Sequence, residues 1–356
     1  MKKHFQKTIL ILSAALLLAA THLYITFYTP PSEAPETRTV VIERGSSFRM
    51  VAEKLEKAGV VRSADSFSLA ARLLGAYTKV KAGEYEFTTN MPPMEVIDYL
   101  VKGRVKKYMV TVPEGFSVRE IAAALEAAGL VQKDIFIARA LDPALARSLG
   151  LEGPTLEGYL FPDTYAFNKG MSADELIARM VERFRKVFAE FEFDVEASGM
   201  SMRKIITLAS IIEKETGAPS ERPLISAVFH NRLKKGIKLQ SDPTVIYAVP
   251  SFDGNLKRKH LSMKSPYNTY ANFGLPPGPI ASPGRDSIVA ALKPAKADYI
   301  YFVSKNDGTH QFSKTLKEHN IAVNRFQRDV KVSKKVEAVE ENAVTIAPPV
   351  AGEPKP

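Results

Sequence analysis

Residues 40–61 read VVIERGSSFRMVAEKLEKAGVV, and residues 110–131 read VTVPEGFSVREIAAALEAAGLV. Gly45, Ser47, Val51, Ala52, Leu55, Glu56, Ala58, Gly59 and Val61 recur, always 70 residues later, as Gly115, Ser117, Ile121, Ala122, Leu125, Glu126, Ala128, Gly129 and Val131. Each copy opens with a strand-like run (TVVIERG, YMVTVPEG). A serine able to cap a helix follows, then apolar residues at i, i+4 and i+7, then a glycine stop. The pattern predicts a strand followed by a short amphipathic helix, twice. Between the copies, Tyr85–Thr88 reads as a strand and Met91–Val101 as an amphipathic helix, which together complete a compact N-terminal domain.

Small α/β units of this kind resemble LysM-type glycan-binding modules, and glycan contact or a purely structural spacer are the two roles open to them. Upstream, Thr29–Thr39 (TPPSEAPETRT) is rich in Pro, Ser, Thr and charge and reads as a linker. Thr8–Tyr28 has no Asp, Glu, Lys or Arg and is long enough to cross a bilayer as a helix. Lys2, Lys3 and Lys7 precede it and the next basic residue is Arg38, so the positive-inside rule assigns residues 1–7 to the cytoplasm and the rest to the far side. A cleaved signal peptide is the competing reading, with small residues at Ala14, Ala15, Ala19 and Ala20. Tyr24, Ile25, Phe27 and Tyr28 favour a retained anchor, because an aromatic belt suits the headgroup level.

Downstream, strands and helices alternate after Val131, and the chain turns predominantly helical from Ser172 through Phe188 and again from Met202 to Thr216. Ser262–Pro283 is loop-rich, with Pro266, Pro276, Pro277, Pro279 and Pro283 beside several glycines. A long loop inside a compact domain is usually functional. Residues 332–356 lack periodicity and end in Pro-rich sequence, the composition of a disordered tail.

The 356 residues contain no cysteine, which excludes disulfides, thiolate metal sites, a cysteine nucleophile and a lipid-modified N-terminal cysteine. A net charge of +10 suits an anionic partner, but no nucleic-acid motif accompanies it. The six histidines (4, 22, 230, 260, 310, 319) lack metal-site spacing, and no G-x-S-x-G elbow or phosphate loop is present. What remains for chemistry is a set of carboxylates in apolar or loop segments: Glu157, Asp163, Glu213, Glu215, Glu221 and Asp242. The helix over Lys204–Thr216 (KIITLASIIEKET) is apolar round most of its circumference, so a carboxylate at its end is partly desolvated and its proton affinity rises toward an acid's working range. Glu213 follows Ile206 and Ala209 at helical spacing, and Glu215 follows Leu208 and Ile211. Periodicity alone does not choose between them.

Residues 157–165 (EGYLFPDTY), 209–216 (ASIIEKET), 232–247 (RLKKGIKLQSDPTVIY), 266–284 (PYNTYANFGLPPGPIASPG) and 310–320 (HQFSKTLKEHN) resemble, in order, the successive motifs of the MltG (YceG-like) endolytic murein transglycosylase family. The resemblance runs from the anchor to about Arg325. It implies that the first Glu of E-K-E-T, Glu213, is the catalytic residue and that no metal or cofactor takes part. It further implies a lytic reaction on peptidoglycan in which one carboxyl protonates the oxygen between N-acetylmuramic acid and N-acetylglucosamine. The same group then takes the proton of the muramyl C6 hydroxyl as that oxygen closes on C1 to a 1,6-anhydro ring. Gln240, Asp242, Tyr267, Asn268, Tyr270 and Glu157 are expected substrate-binding residues, each with a turn or packing role as its alternative; His310 and His319 read as structural.

The expected architecture is α+β: a transmembrane helix over 8–28, a linker over 29–39, a LysM-like α/β domain over 40–150, and an α+β YceG-like catalytic domain over 151–331. The expected partners are peptidoglycan glycan strands and the synthases that make them, with no nucleic acid. A non-catalytic glycan-binding scaffold and a peptidoglycan hydrolase are the rival functions; for the hydrolase a second carboxylate, Asp242 or Glu157, is needed.

Overall fold

The computed structural model describes residues 2–329. The expected tail over 332–356 lies outside the described residues. The first element, α1 (Lys2–Tyr28), contains a stretch, Leu10–Tyr28, that is long and apolar enough to cross a membrane, with a mean hydropathy of 2.0.

The repeat takes the predicted form. In the first copy β1 (Thr37–Ile42) leads through a turn at Gly45 to α2 (Phe48–Lys57), where the Ser47 hydroxyl accepts the Met50 N–H. Then come α3 (Ala64–Leu73), β2 (Gly83–Thr88) and α4 (Pro93–Lys102). In the second copy β3 (Tyr108–Thr111) leads through Gly115 to α5 (Val118–Ala127). Here Ser117 and Glu120 form a reciprocal capping box: the Ser117 hydroxyl accepts the Glu120 N–H and the Glu120 carboxylate accepts the Ser117 N–H at 2.7 Å. Gly45 and Gly115 sit at φ 81° and 78°, a left-handed turn that a side chain resists, which is why glycine recurs there.

Then follow α6 (Lys133–Ala140), α7 (Pro143–Ser148), β4 (Thr164–Phe167), α8 (Ala173–Phe188), α9 (Glu192–Ser198), α10 (Met202–Glu215), α11 (Arg222–Lys234), α12 (Asp242–Ala248), α13 (Arg258–Leu261) and α14 (Arg285–Leu292). The hairpin β5 (Tyr301–Ser304) and β6 (His310–Ser313) and the helix α15 (Leu316–Val323) complete the order.

The chain groups into two compact units that are interleaved in sequence. Among the described residues, one comprises residues 2–111, 122–135 and 164–176, and the other residues 112–121, 136–163 and 177–329. In the first unit β1 pairs antiparallel with β2 (Val40 opposite Tyr85) and β3 with β4 (Val110 opposite Tyr165), so the late strand β4 returns to the early part of the chain. Val51, Leu55, Phe67, Tyr85, Phe87 and Leu100 are buried in its core, each such side chain worth about 1.5–3 kcal/mol in transfer from water. The expected linker is partly ordered. Residues 29–36 carry no helix or strand, yet the Ser32 N–H bonds the Thr89 carbonyl and the Glu36 N–H bonds the Thr89 hydroxyl. Composition misses this because such a segment needs only a neighbour's free backbone groups, not a core of its own.

The second unit is built round α10, buried on every side from Ile205 to Ile212 and packed against α11, α12 and α14. An all-round apolar helix is stable only in such a central position. The predicted long loop before α14 is structured and packed: Asn268, Thr269, Ile280, Ala281 and Ser282 are buried.

Candidate functional site

The burial of α10 ends at its last turn, which presents two carboxylates. Residues two apart on a helix point about 200° from one another, so Glu213 and Glu215 enter different surroundings.

Glu213 has a side chain only 6% exposed. One of its oxygens accepts from the Arg222 guanidinium at 3.1 Å, and the other accepts the Gly284 N–H at 2.9 Å. Arg222 begins α11 and is itself 10% exposed at its side chain; Gly284 is the N-cap of α14, whose positive end favours an anion. The same Arg222 nitrogen lies 3.6 Å from Glu114, and a second one 3.7 Å from Asp286 on α14. Three carboxylates thus share one buried cation. The Glu114 loop is fixed by three hydrogen bonds. Gly115 N–H donates to the Ser282 carbonyl, Ser282 N–H to the Phe116 carbonyl, and the Lys214 ammonium to the Gly115 carbonyl. Burial, the charge of Glu213 and that of Asp286 raise the proton affinity of Glu114, against the opposing pull of Arg222.

Glu215 faces the turn before α12. Its carboxyl accepts from the Ser241 hydroxyl and is pushed up to about 7, chiefly by burial and further by Asp242, with Arg232 opposing. Around it, Ser241 N–H bonds the Thr269 hydroxyl, Thr244 and Thr269 share a hydroxyl contact, and Arg232 donates to the Leu239 carbonyl at 2.8 Å. Gln240, at φ 49°, is held by its N–H on the Thr269 carbonyl and by a long 3.5 Å contact from Arg232. Asp242 accepts from the Tyr270 hydroxyl at 2.6 Å.

Glu157, 2% exposed, caps the start of α5 by accepting the Val118 N–H at 3.1 Å and also accepts the Tyr247 hydroxyl at 3.2 Å. Burial pushes its carboxyl up to about 7. It lies in the wall of a cleft of about 710 Å³ bounded by residues 117–120, Lys214, Tyr247 and the 249–252 turn. Tyr247 in turn packs on Tyr267, with ring centres 4.9 Å apart.

The residues singled out in the sequence therefore fall into three groups. Glu213 stands with Arg222, Glu114, Asp286 and Gly284, none of which the sequence reading singled out. Gln240, Asp242 and Tyr270 stand with Glu215. Glu157 and Tyr267 share Tyr247. Asn268 is fully buried and its amide staples the loop, donating to the Leu261 and Met263 carbonyls and accepting the Tyr270 N–H. Asp163 pairs with Arg183 at 2.6 Å, and Glu221 with His310 at 2.7 Å. Among the described residues no group of three His, Asp or Glu side chains is placed to hold a metal ion.

A shielded carboxyl on a rigid helix, with a cation and a backbone N–H ready for its ionised form, is a centre able to give up a proton and take it back. The chain belongs to the YceG-like family, whose profile matches residues 40–325. It is 36% identical over 329 residues to the endolytic murein transglycosylase of Bacillus subtilis (strain 168), covering 87% of this chain and 91% of that one. The endolytic murein transglycosylase of Streptococcus pneumoniae serotype 2 (strain D39 / NCTC 7466) is 31% identical over 314 residues; the match covers 79% of this chain but only 57% of that longer protein. A crystal structure of a yceG-like protein from Listeria monocytogenes aligns over 81% of this chain and 99% of its own, with 35% identity and a TM-score of 0.57.

Proposed function

We propose that this chain is an endolytic murein transglycosylase, a lyase that cuts peptidoglycan glycan strands internally and leaves 1,6-anhydromuramyl ends, and that Glu213 is its acid and base. The observation that carries the reading is the buried Glu213 at the end of α10, bound by Arg222 and the Gly284 N–H, in a chain that matches such an enzyme over 91% of that enzyme's length.

The reaction proceeds in two proton transfers. Glu213 in its protonated form gives its proton to the bridging oxygen as the muramyl C1–O bond breaks, and the bonding electrons leave with N-acetylglucosamine. The carboxylate left behind is the form that Arg222 and Gly284 stabilise, which lowers the cost of bond cleavage. Glu213 then accepts the proton of the muramyl C6 hydroxyl while that oxygen bonds to C1. No water enters, and the carboxyl ends as it began. The rigid α10 holds the acid in place through both steps.

The LysM-like repeat region over residues 40–150 positions long glycan for the catalytic region over 151–331, with Glu157, Gln240, Asp242, Tyr267 and Tyr270 shaping the substrate groove and Asn268 holding the loop that carries the two tyrosines. Residues 8–28 are the retained anchor, with the N-terminus in the cytoplasm and the enzyme outside, where it acts beside the synthases whose strands it terminates. Finding that the native mature protein starts after residue 20 would replace the anchor by a cleaved signal.

The test is digestion of uncrosslinked glycan by the full chain in detergent, with products read by mass spectrometry. Anhydro ends, lighter by one water than hydrolytic ends, are expected. Glu213→Gln should lower turnover by at least about 10²–10⁴-fold without unfolding. Reducing muramyl ends that carry heavy oxygen from labelled water would overturn the lytic reaction, and full activity of Glu213→Gln would overturn the assignment of the acid.

A further inference from the structure

We propose that Glu114 is a positioning residue of this site: by sharing Arg222 with Glu213 it keeps the ion pair from locking Glu213 as a permanent carboxylate. The proposal rests on the reading of Glu213 as the acid.

The problem it answers is visible in the geometry. A carboxyl that must donate a proton in the first step is poorly served by an arginine that belongs to it alone, since a nearby cation favours the ionised form. Arg222 does not belong to Glu213 alone. One of its nitrogens lies 3.1 Å from Glu213 and 3.6 Å from Glu114, and another lies 3.7 Å from Asp286. The charged groups facing Glu213 are therefore Glu114 from the residue 112–117 loop, Arg222 from α11 and Asp286 from α14. On its own helix, Lys214 is turned to the Gly115 carbonyl, and the neighbouring Arg285 is turned away to Glu190. Asp286 is two-thirds exposed and well screened, whereas Glu114 is half-buried. Of the two extra carboxylates, Glu114 has the stronger hold on the arginine.

Two independent features indicate that Glu114 is placed there rather than left there. The first is the repeat. The position 70 residues earlier, in a turn of the same left-handed geometry, is Arg44, which pairs with Glu175 on the surface. The turn therefore does not require an acid, and the copy beside Glu213 carries one. The second is Gly284. A Cβ added there would lie 1.9–2.6 Å from the Glu114 carboxyl group, so a side chain at 284 would displace that carboxyl from its place beside the arginine. The backbone of Gly284, at φ −74°, is open to alanine, so glycine is not needed for conformation.

The experiment is the pH dependence of kcat/KM for the full chain in detergent on uncrosslinked glycan. With one negative charge removed in Glu114→Gln, Arg222 turns more fully to Glu213, which then loses its proton at lower pH. The alkaline limb, where the protonated acid disappears, should move down by roughly 0.5–1 pH unit. Gly284→Ala, which leaves Glu114 chemically intact but displaces its carboxylate, should move the limb the same way, and Glu114→Asp should restore part of the wild-type profile. A uniform loss of rate with the limb unmoved, or a limb that moves up, would overturn the proposal. Thermal unfolding at wild-type temperature confirms that the variants fold; a variant that does not fold leaves the decision to the other two. If Glu213→Gln remains active, the acid itself is misassigned; if it is dead and the limb does not move in Glu114→Gln, only the role of Glu114 fails.

Discussion

Replacing Glu157 by glutamine isolates the cost of a single buried carboxyl. Glu157 is 2% exposed, so solvent screening does little for it, and its burial raises its proton affinity to about 7. The Val118 N–H and Tyr247 hydroxyl oppose that rise without cancelling it. A folded-state value above the unfolded one means that the group adds stability below the unfolded value and loses it as pH rises through the folded value. For a shift from about 4.3 to about 7, at about 1.4 kcal/mol per tenfold change in proton affinity, the loss between pH 4 and pH 8 is roughly 3 kcal/mol. The amide that Glu157→Gln introduces keeps a carbonyl to accept from Val118 and never ionises. The wild type should therefore lose stability relative to Glu157→Gln between pH 5 and pH 8. For a unit of this size, that difference amounts to roughly 5–10 °C in the midpoint of thermal unfolding. Circular dichroism melts of both full-length proteins at the two pH values measure it. Equal gaps at pH 5 and pH 8 would refute the reasoning and mean that the carboxyl stays ionised on its two donors.

Other expectations follow from the same geometry. Glu215→Gln should retain substantial turnover, because Glu215 faces Ser241 and not the Arg222 cluster, and parallel digests of the two glutamine variants measure the contrast. Asn268→Ala should lower stability by about 2–4 kcal/mol, since it leaves two buried carbonyls and the Tyr270 N–H without their partner, while its effect on KM should vanish once the protein is shown to be folded; denaturant unfolding and kinetics separate the two. Arg222→Gln should destabilise by about 3–5 kcal/mol by leaving Glu213 buried without its cation, which denaturant unfolding at neutral pH will detect.

Much of this protein is written in local pattern. The 70-residue repeat, its capping serines and its turn glycines are short-range signals and appear in the structure where the sequence places them. The buried α10 is equally plain, because eight consecutive buried residues leave a composition that no surface helix has. The site is less legible. Glu213 and Glu215 share a helix end and differ only in what lies opposite, and that is fixed by residues beyond the helix: Arg222 and the distant Gly284 for one, Ser241 for the other. Arg222 sits in the irregular GAPSERP segment, where periodicity says nothing, and Asn268 reads as a sugar-binding amide until its three backbone partners are known. One signal was present and unread. Aligning the two copies of the repeat puts Arg44 against Glu114, an inverted charge next to the glycine that both turns share.

That inversion also bears on the choice between lyase and hydrolase. A hydrolytic mechanism needs a second carboxylate, either to activate water or to attack C1 as a nucleophile, and the two candidates drawn from the sequence are otherwise engaged: Glu157 caps α5 and binds Tyr247, and Asp242 binds Tyr270. Neither contributes to the group round Glu213. The carboxylate that does is Glu114, and it is held on the same arginine nitrogen as Glu213 rather than across an open space. An inverting hydrolase separates its two carboxyls by about 6.5–9.5 Å to seat a water between them, whereas here the interval is occupied by a guanidinium group. On the proposed reading Glu114 therefore acts on Glu213 through Arg222, and the ring closure is left to Glu213 as the single acid and base.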